Sequence, residues 1–343
     1  MRRVLVARLD SMGDVLVSGP AVRAVAASAE VVLLAGPQGA GAARLLPGVA
    51  EVHVLAAPWI SPVDRPVDAA LVAEVADLVA ATGVEEAVIL TSFHQSPLPL
   101  ALLLRLAGVR RITGASVDAG GGLLDTRLIP GEDLPEDLPE PLRALRIAEA
   151  AGYAPPDDDD RLAVTLPEAR PTAAGDGRYV VVHPGAAVPA RAYPAEHCAR
   201  AVALLAARGH RVLVTGGPDE RALTAAVAGT AGTDLGGALG LAELGAVLRD
   251  ADVVVVGNTG PAHLAAAAGT PVVSLFAPVV PPVRWAPWGV PVALLGDQEA
   301  ACRGSRARVC PVAGHPCLAS VRPESVVDAA ERLIADRLTG ALR

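Results

Sequence analysis

Short runs rich in Val, Ile and Leu alternate along the chain with longer Ala- and Leu-rich stretches. A short continuous apolar run fits a strand buried on both faces, and the longer stretches fit the helices that bury it. In the first half the predicted strands are Val4–Leu9, Val31–Ala35, Val52–Leu55, Glu86–Thr91 and Arg110–Gly114. The helices predicted between them are Asp14–Ala27, Gly39–Leu46, Asp68–Ala81 and Pro97–Ala107. Residues 130–141 then carry four Pro and five acids, and residues 155–160 read PPDDDD, with a helix at Pro141–Ala151 between them; this stretch reads as a linker.

Beyond it the alternation restarts. Strands are predicted at Arg178–His183, Arg211–Thr215, Val253–Val256 and Val272–Phe276, and helices at Ala195–Arg208, Glu220–Ala228, Leu241–Asp250, Pro261–Ala268 and Glu324–Leu338. The expectation is an α/β protein of two doubly wound, Rossmann-like domains, 1–160 and 161–322, with a closing helical segment at 323–343. A cleft is expected between the domains, with ligands beyond the carboxyl ends of the strands.

The length, 343 residues, suits two domains, and 52% hydrophobic residues exclude a disordered chain. Every basic residue is Arg, and the net charge is −8. An acidic chain without basic runs is unsuited to general nucleic-acid binding but can hold an anion locally. The most apolar stretch, Pro97–Val109, is broken by Arg105 and too short to cross a bilayer. Arg8 and Asp10 interrupt the apolar start, so no signal peptide is expected. A cytoplasmic monomer is expected, able to meet a lipid-linked acceptor at the inner membrane face, with its four cysteines reduced.

Residues 10–14, Asp-Ser-Met-Gly-Asp, follow the first predicted strand. Gly13 lets the turn approach a ligand closely, and Asp14 opens the first helix. A carboxylate there either caps the helix or takes a proton from a hydroxyl. A helix N-terminus lowers its basicity, so such a base acts late, once attack has made the hydroxyl acidic. Val253–Pro278, VVVVGNTGPAHLAAAAGTPVVSLFAP, reads as strand, turn, helix and strand. Free N–H groups at that helix start, with about half a positive charge from the dipole, suit a diphosphate. Gly260 permits close approach, Pro261 suits the first helical position, Thr259 can donate to a phosphate, and His263 can reach a phosphate or the sugar. Read on the residues alone, Asn258 is a helix cap and His263 a core histidine.

The opening, RVLVARLDSMGDVLVSGPAVRAV, and the Asn-Thr-Gly-Pro-x-His segment at 258–263 resemble glycosyltransferase family nine, the ADP-heptose transferases. The resemblance spans nearly the whole chain, with sparser motifs between about 115 and 175. It implies a GT-B fold, with Asp14 as catalytic base. It also implies a donor site on Gly13, Asn258, Thr259, Gly260, Pro261 and His263. It extends to His183-Pro184-Gly185, followed by Arg191 and Tyr193 where the family has Lys and Trp. An Arg still neutralises phosphate, and bidentately. Gly216 and Glu220 fall where the family places a close-approach loop and an acid near the donor nucleoside. The reaction implied is a metal-independent, inverting transfer with no cofactor, as in lipopolysaccharide core biosynthesis. The donor implied is ADP-heptose, and the acceptor a hydroxyl of a glycan, glycolipid or natural product. A nucleotide-sugar epimerase or hydrolase of the same fold, or a non-catalytic nucleotide-sugar-binding protein, are the alternatives.

Other features carry less. Phe93 and His94, after the fourth predicted strand, and Trp59 are candidate acceptor contacts, with loop packing as the plain alternative. The acidic run Asp157–Asp160 reads as solvated linker rather than a metal site. Cys302, Cys310 and Cys317 are spaced too widely for the usual zinc pair and read as a packed or redox-sensitive loop. Gly36, Gly39 and Gly41 follow the second strand in the order G-x-x-G-x-G, which does not fit an NAD fingerprint.

Overall fold

The computed structural model describes residues 2–60, 64–92, 94–155, 157 and 159–339. The chain divides into two compact units, Met1–Thr165 and Leu166–Arg343.

The first unit runs β1 (Arg3–Arg8), α1 (Met12–Val17), α2 (Gly19–Ala26), β2 (Glu30–Ala35), α3 (Ala40–Ala43), β3 (Val49–Val54), α4 (Ala69–Thr82), β4 (Glu86–Ile89), α5 (Leu98–Leu106), β5 (Arg111–Ala115), β6 (Thr126–Leu128) and α6 (Glu140–Ala150). Its six parallel strands lie in the order β3-β2-β1-β4-β5-β6. β1 is central, and from Val4 to Arg8 every residue is buried. Local chemistry sets the helix ends. Asp68 caps α4 by accepting the Leu71 N–H at 3.0 Å, and Gly83 ends it at φ 65°.

The second unit repeats the plan. It runs β7 (Val180–His183), α7 (Ala195–Ala207), β8 (Val212–Val214), α8 (Arg221–Ala228), β9 (Thr233–Asp234), α9 (Leu241–Arg249), β10 (Val254–Gly257), α10 (Gly260–Ala267), β11 (Val272–Leu275), α11 (Pro282–Trp285), β12 (Val292–Leu295), α12 (Pro316–Ala319) and α13 (Pro323–Thr339). Its parallel order is β12-β11-β10-β7-β8-β9. In each sheet the chain builds outward on one side of its first strand and then returns to build on the other. The switch points are therefore β1/β4 and β7/β10.

Four features differ from the expectation. The single helix at Asp14–Ala27 is two, because Pro20 has no N–H to continue the ladder and the helix restarts with Pro20 near its first turn. β6, β9 and β12 were not anticipated; all three are edge strands, β6 and β9 are short and mostly polar, and β12 is a half-buried apolar run of four residues. The helix inside the supposed linker is α6, a layer of the first unit packed on α2 with Leu145, Ile147 and Ala148 buried. The helix itself was expected; its Pro-rich, acidic flanks made its surroundings read as a linker. Finally, the chain up to Thr165 stays with the first unit: the Thr165 N–H donates to the Leu45 carbonyl at 2.7 Å, and Arg23 donates to the Arg161 carbonyl at 2.5 Å. α13 packs within the second unit, against α7, β11 and β12.

The glycines after β2 serve the turn after β1. A Cβ on Gly36 would lie 2.1 Å from the Leu9 carbonyl oxygen, and one on Gly39 would lie 2.6 Å from Val15 Cγ2. These residues let one loop pass beneath the other. Gly36→Ala sets backbone against backbone, so the first unit is expected to lose on the order of 3 kcal/mol, read as a fall in denaturant midpoint. An unchanged midpoint contradicts the close approach.

Candidate active site

At the first switch point the carboxyl ends of β1 and β4 carry an ion cluster. Arg8, the last residue of β1, is 1% exposed. Its Nε lies 2.8 Å from Asp10 Oδ2, and its Nη2 lies 3.0 Å from Asp14 Oδ1 and 3.7 Å from Glu140 Oε2. Nη2 also donates to Ser92 Oγ at 2.9 Å. Burial works against the Arg8 charge, but the three carboxylates outweigh it and its pKa is raised.

Asp14 is the third residue of α1. Its Oδ2 accepts the Ser11 hydroxyl at 2.6 Å and the Ser11 N–H at 3.3 Å, the reciprocal half of a capping box. The capping role and an oriented, partly open carboxylate thus coincide in one residue, whose side chain is 17% exposed. Gly13 is buried beneath it. Asp10 is held from its other side by the Gln95 amide. Burial pushes the Asp10 carboxyl up; Arg8 opposes this and the Asp14 charge adds to it.

A small, narrow recess lies beside this cluster, lined by Asp10, Trp59, Ile60, Thr91 and Gln95 among others. Trp59 therefore belongs to the site's surroundings. His94 is exposed on the adjoining loop, and Phe93 lies outside the described residues.

At the second switch point, β7 ends at His183 and β10 at Gly257. His183 is buried, its Nδ1 3.0 Å from Thr215 Oγ1 and its Nε2 3.9 Å from Glu220 Oε2. Burial lowers its pKa, against a raising influence from Glu220. Glu220 accepts the Gly217 N–H at 2.8 Å. A Cβ on Gly185 would fall 1.9 Å from Glu220 Oε1, and one on Gly216 would fall 3.1 Å from Oε2. The glycines thus form a cradle that Glu220 fills.

α10 starts beside them. Thr259 is its N-cap, extended and without a side-chain capping bond; Gly260 is the first helical residue, and Pro261 follows it. Both Thr259 and Gly260 are half-exposed. Asn258 is not the cap. Its amide exchanges hydrogen bonds with the Ala277 backbone at 3.3 and 3.4 Å and ties the end of β10 to the end of β11. His263 is buried within α10. Arg191 closes a short 3-10 turn, Pro189–Arg191, whose backbone sits against the end of β10: a Cβ on Gly257 would be 3.2 Å from the Arg191 carbonyl oxygen. Tyr193 is a core residue, its hydroxyl donating to the Val321 carbonyl at 2.8 Å.

Arg8, Ser92 and Glu140 were missed by the sequence reading. The available signal was a charged residue inside an otherwise apolar central strand. The cysteines near the end are free thiols; Cys302 and Cys317 are buried and Cys310 is half-buried. Among the described residues, no group of His, Cys, Asp and Glu has a metal-binding arrangement, and no helix is long and apolar enough to cross a membrane.

Residues 140–314, just over half of the chain, match the family described as glycosyltransferase family 9 (heptosyltransferase). A curated relative, lipopolysaccharide heptosyltransferase 3 of Escherichia coli, is 34% identical over 122 residues; the match covers 34% of this chain and 36% of the relative. The chain thus matches about a third of that relative's length. Among solved structures, a glycosyl transferase family 9 protein from Veillonella parvula is similar over 98% of each chain, with a TM-score of 0.78 at 18% identity. The E. coli ADP-heptose lps heptosyltransferase II is similar over 98% of this chain and 100% of that one, with a TM-score of 0.72 at 18% identity. The fold class is GT-B, with two doubly wound α/β units.

The buried His183 generates a pH prediction. Its folded pKa is lowered, so the unfolded state binds its proton first as the pH falls. Stability is therefore intact above about pH 6.5, the usual histidine value, and declines below it. The denaturation midpoint of the second unit is expected to hold above about pH 6.5 and to fall as the pH drops below it, and to fall less in His183→Gln. Equal slopes for the two proteins contradict this.

Proposed function

The chain belongs to glycosyltransferase family 9 (heptosyltransferase), and from that premise we propose that it moves a heptose from a nucleotide-sugar donor, ADP-heptose, to a hydroxyl of a glycan or glycolipid, with inversion and without a metal. The observation that carries the reading is the carboxylate at the first switch point. Asp14 is held at both oxygens, by Arg8 and by Ser11, yet keeps an open edge. A group oriented in this way suits proton transfer, because little reorganisation is left for the reaction itself.

In this mechanism the acceptor oxygen attacks the anomeric carbon from the face opposite the leaving group. The new C–O bond forms as the bond to the diphosphate breaks, the electron pair leaves on the phosphate, and the acceptor proton passes to Asp14. The half-exposed start of α10 supplies the anion site. There the Thr259 hydroxyl and the Gly260 N–H face the diphosphate, and the helix dipole favours the charge that develops on it. Pro261, second in the helix, removes no needed hydrogen bond, and Asn258 fixes the turn through Ala277. Arg191 supplies the cation that the family takes from Lys. His183 stays neutral and fixes its strand end beside Glu220, Gly185 and Gly216, where the nucleoside binds. His263 orients the donor from within α10. Trp59 and His94 contact the acceptor.

Asp14→Asn is expected to lower turnover roughly 10²–10⁴-fold, the usual worth of a general base, with donor affinity unchanged. Acceptor-dependent nucleotide release measures the first, and calorimetry with the nucleotide sugar the second. Full turnover in this variant overturns the assignment. Arg191→Ala is expected to weaken donor binding by about tenfold or more, with Arg191→Lys recovering part of it. Incubation of donor without acceptor supplies a further check: rapid release of free sugar or of an isomer would favour a hydrolase or epimerase instead.

A further inference from the structure

The ion cluster at the end of β1 holds more charge than orienting one carboxylate requires. Arg8 and Ser11 together would leave Asp14 a poor base, because a buried guanidinium, two hydrogen-bond donors and a helix N-terminus all favour the anion. Yet Arg8 is not committed to Asp14. Its Nε lies closer to Asp10, at 2.8 Å, and its Nη2 also faces Glu140 at 3.7 Å, on a residue that is fully buried. Each additional anion raises the proton affinity of the others.

We propose that Arg8 is a positioning residue for Asp14, and that Asp10 and Glu140 divide its charge so that Asp14 is held in place while remaining able to accept a proton. The inference rests on the reading of Asp14 as the base. Like-charge coupling is mutual, and it is already visible from the other partner: the Asp14 charge helps to raise the Asp10 carboxyl.

The remaining charged groups of the packed elements fit this arrangement. On α6, Arg143 is buried one turn beyond Glu140, while Arg146 pairs with Glu149 at the surface. On α2, Arg23 turns to Asp159 and the Arg161 carbonyl. Arg44, at the end of α3, donates to the Ala40 carbonyl at 3.1 Å. His94 is exposed on the loop after β4, whose Gln95 adds a neutral donor to Asp10.

The test is direct titration of Asp14. Protein labelled with ¹³C at the aspartate carboxyl carbons gives a resonance for Asp14, assigned by its loss in Asp14→Asn. In Asp10→Asn the titration midpoint of Asp14 is expected to move to lower pH by about one unit, because one anion is gone and Arg8 turns fully to Asp14. The acid limb of the kcat–pH profile moves with it. Glu140→Gln is expected to shift the midpoint in the same direction by less, and it carries the test if Asp10→Asn does not fold. A midpoint that stays or rises in the folded variants overturns the proposal. The two readings separate cleanly: Asp14→Asn with normal turnover sinks the base assignment, whereas an inactive Asp14→Asn with an unmoved midpoint sinks only the division of charge.

Discussion

A parallel sheet covered by helices on both faces leaves no room for polar chemistry along its strands. Its backbone groups are used in the ladder, and its side chains are buried against helices. What remains open is the row of strand ends where the connections leave, and a reversal of strand order spreads two of those connections apart. Both units obey this constraint in the same way. In the first, the turn after β1 and the loop after β4 carry Asp10, Asp14, Ser92 and Gln95; in the second, the turns after β7 and β10 carry His183, Gly185, Thr259 and Gly260.

The two strand-end sites use opposite chemistry. The first is ionic. Arg8, Asp10 and Glu140 sit where isolated charges would be strongly disfavoured, and they persist because each is paired. Such a cluster is a weak source of stability compared with apolar packing of the same volume. The second site is built largely from backbone. Its histidine is kept neutral by burial, its acid is lodged over glycines, and its helix start presents a cap without a side-chain bond of its own.

Close approach is the recurring local device. Gly36 and Gly39 let the loop after β2 pass under the turn that follows β1, and Gly185 and Gly216 make the space that Glu220 occupies. These glycines have ordinary φ values, so their role is the absence of a Cβ rather than backbone freedom. This explains why the run at 36–41 imitates a nucleotide-binding loop without standing on the first strand.

Most central strands and their covering helices were legible in the chain, because burial on both faces writes a continuous apolar run and a helix writes its own period. The β1 turn and the α10 turn were legible for the same local reason, while the roles proposed for their residues came from the family resemblance. The short edge strands β6 and β9 were not, since two or three mostly polar residues write no such run, and α6 was legible as a helix but not as a layer of the first unit. The sequence by itself determined two α/β units and which strand ends carry polar groups, because both are set by neighbours in the chain. Only the tertiary structure decided that Asp14, Ser92 and Glu140 meet at Arg8, that Asn258 ties two strands together, and that Tyr193 belongs to the core. Those outcomes depend on residues far apart in the chain being brought together by strand order, and no local pattern records them.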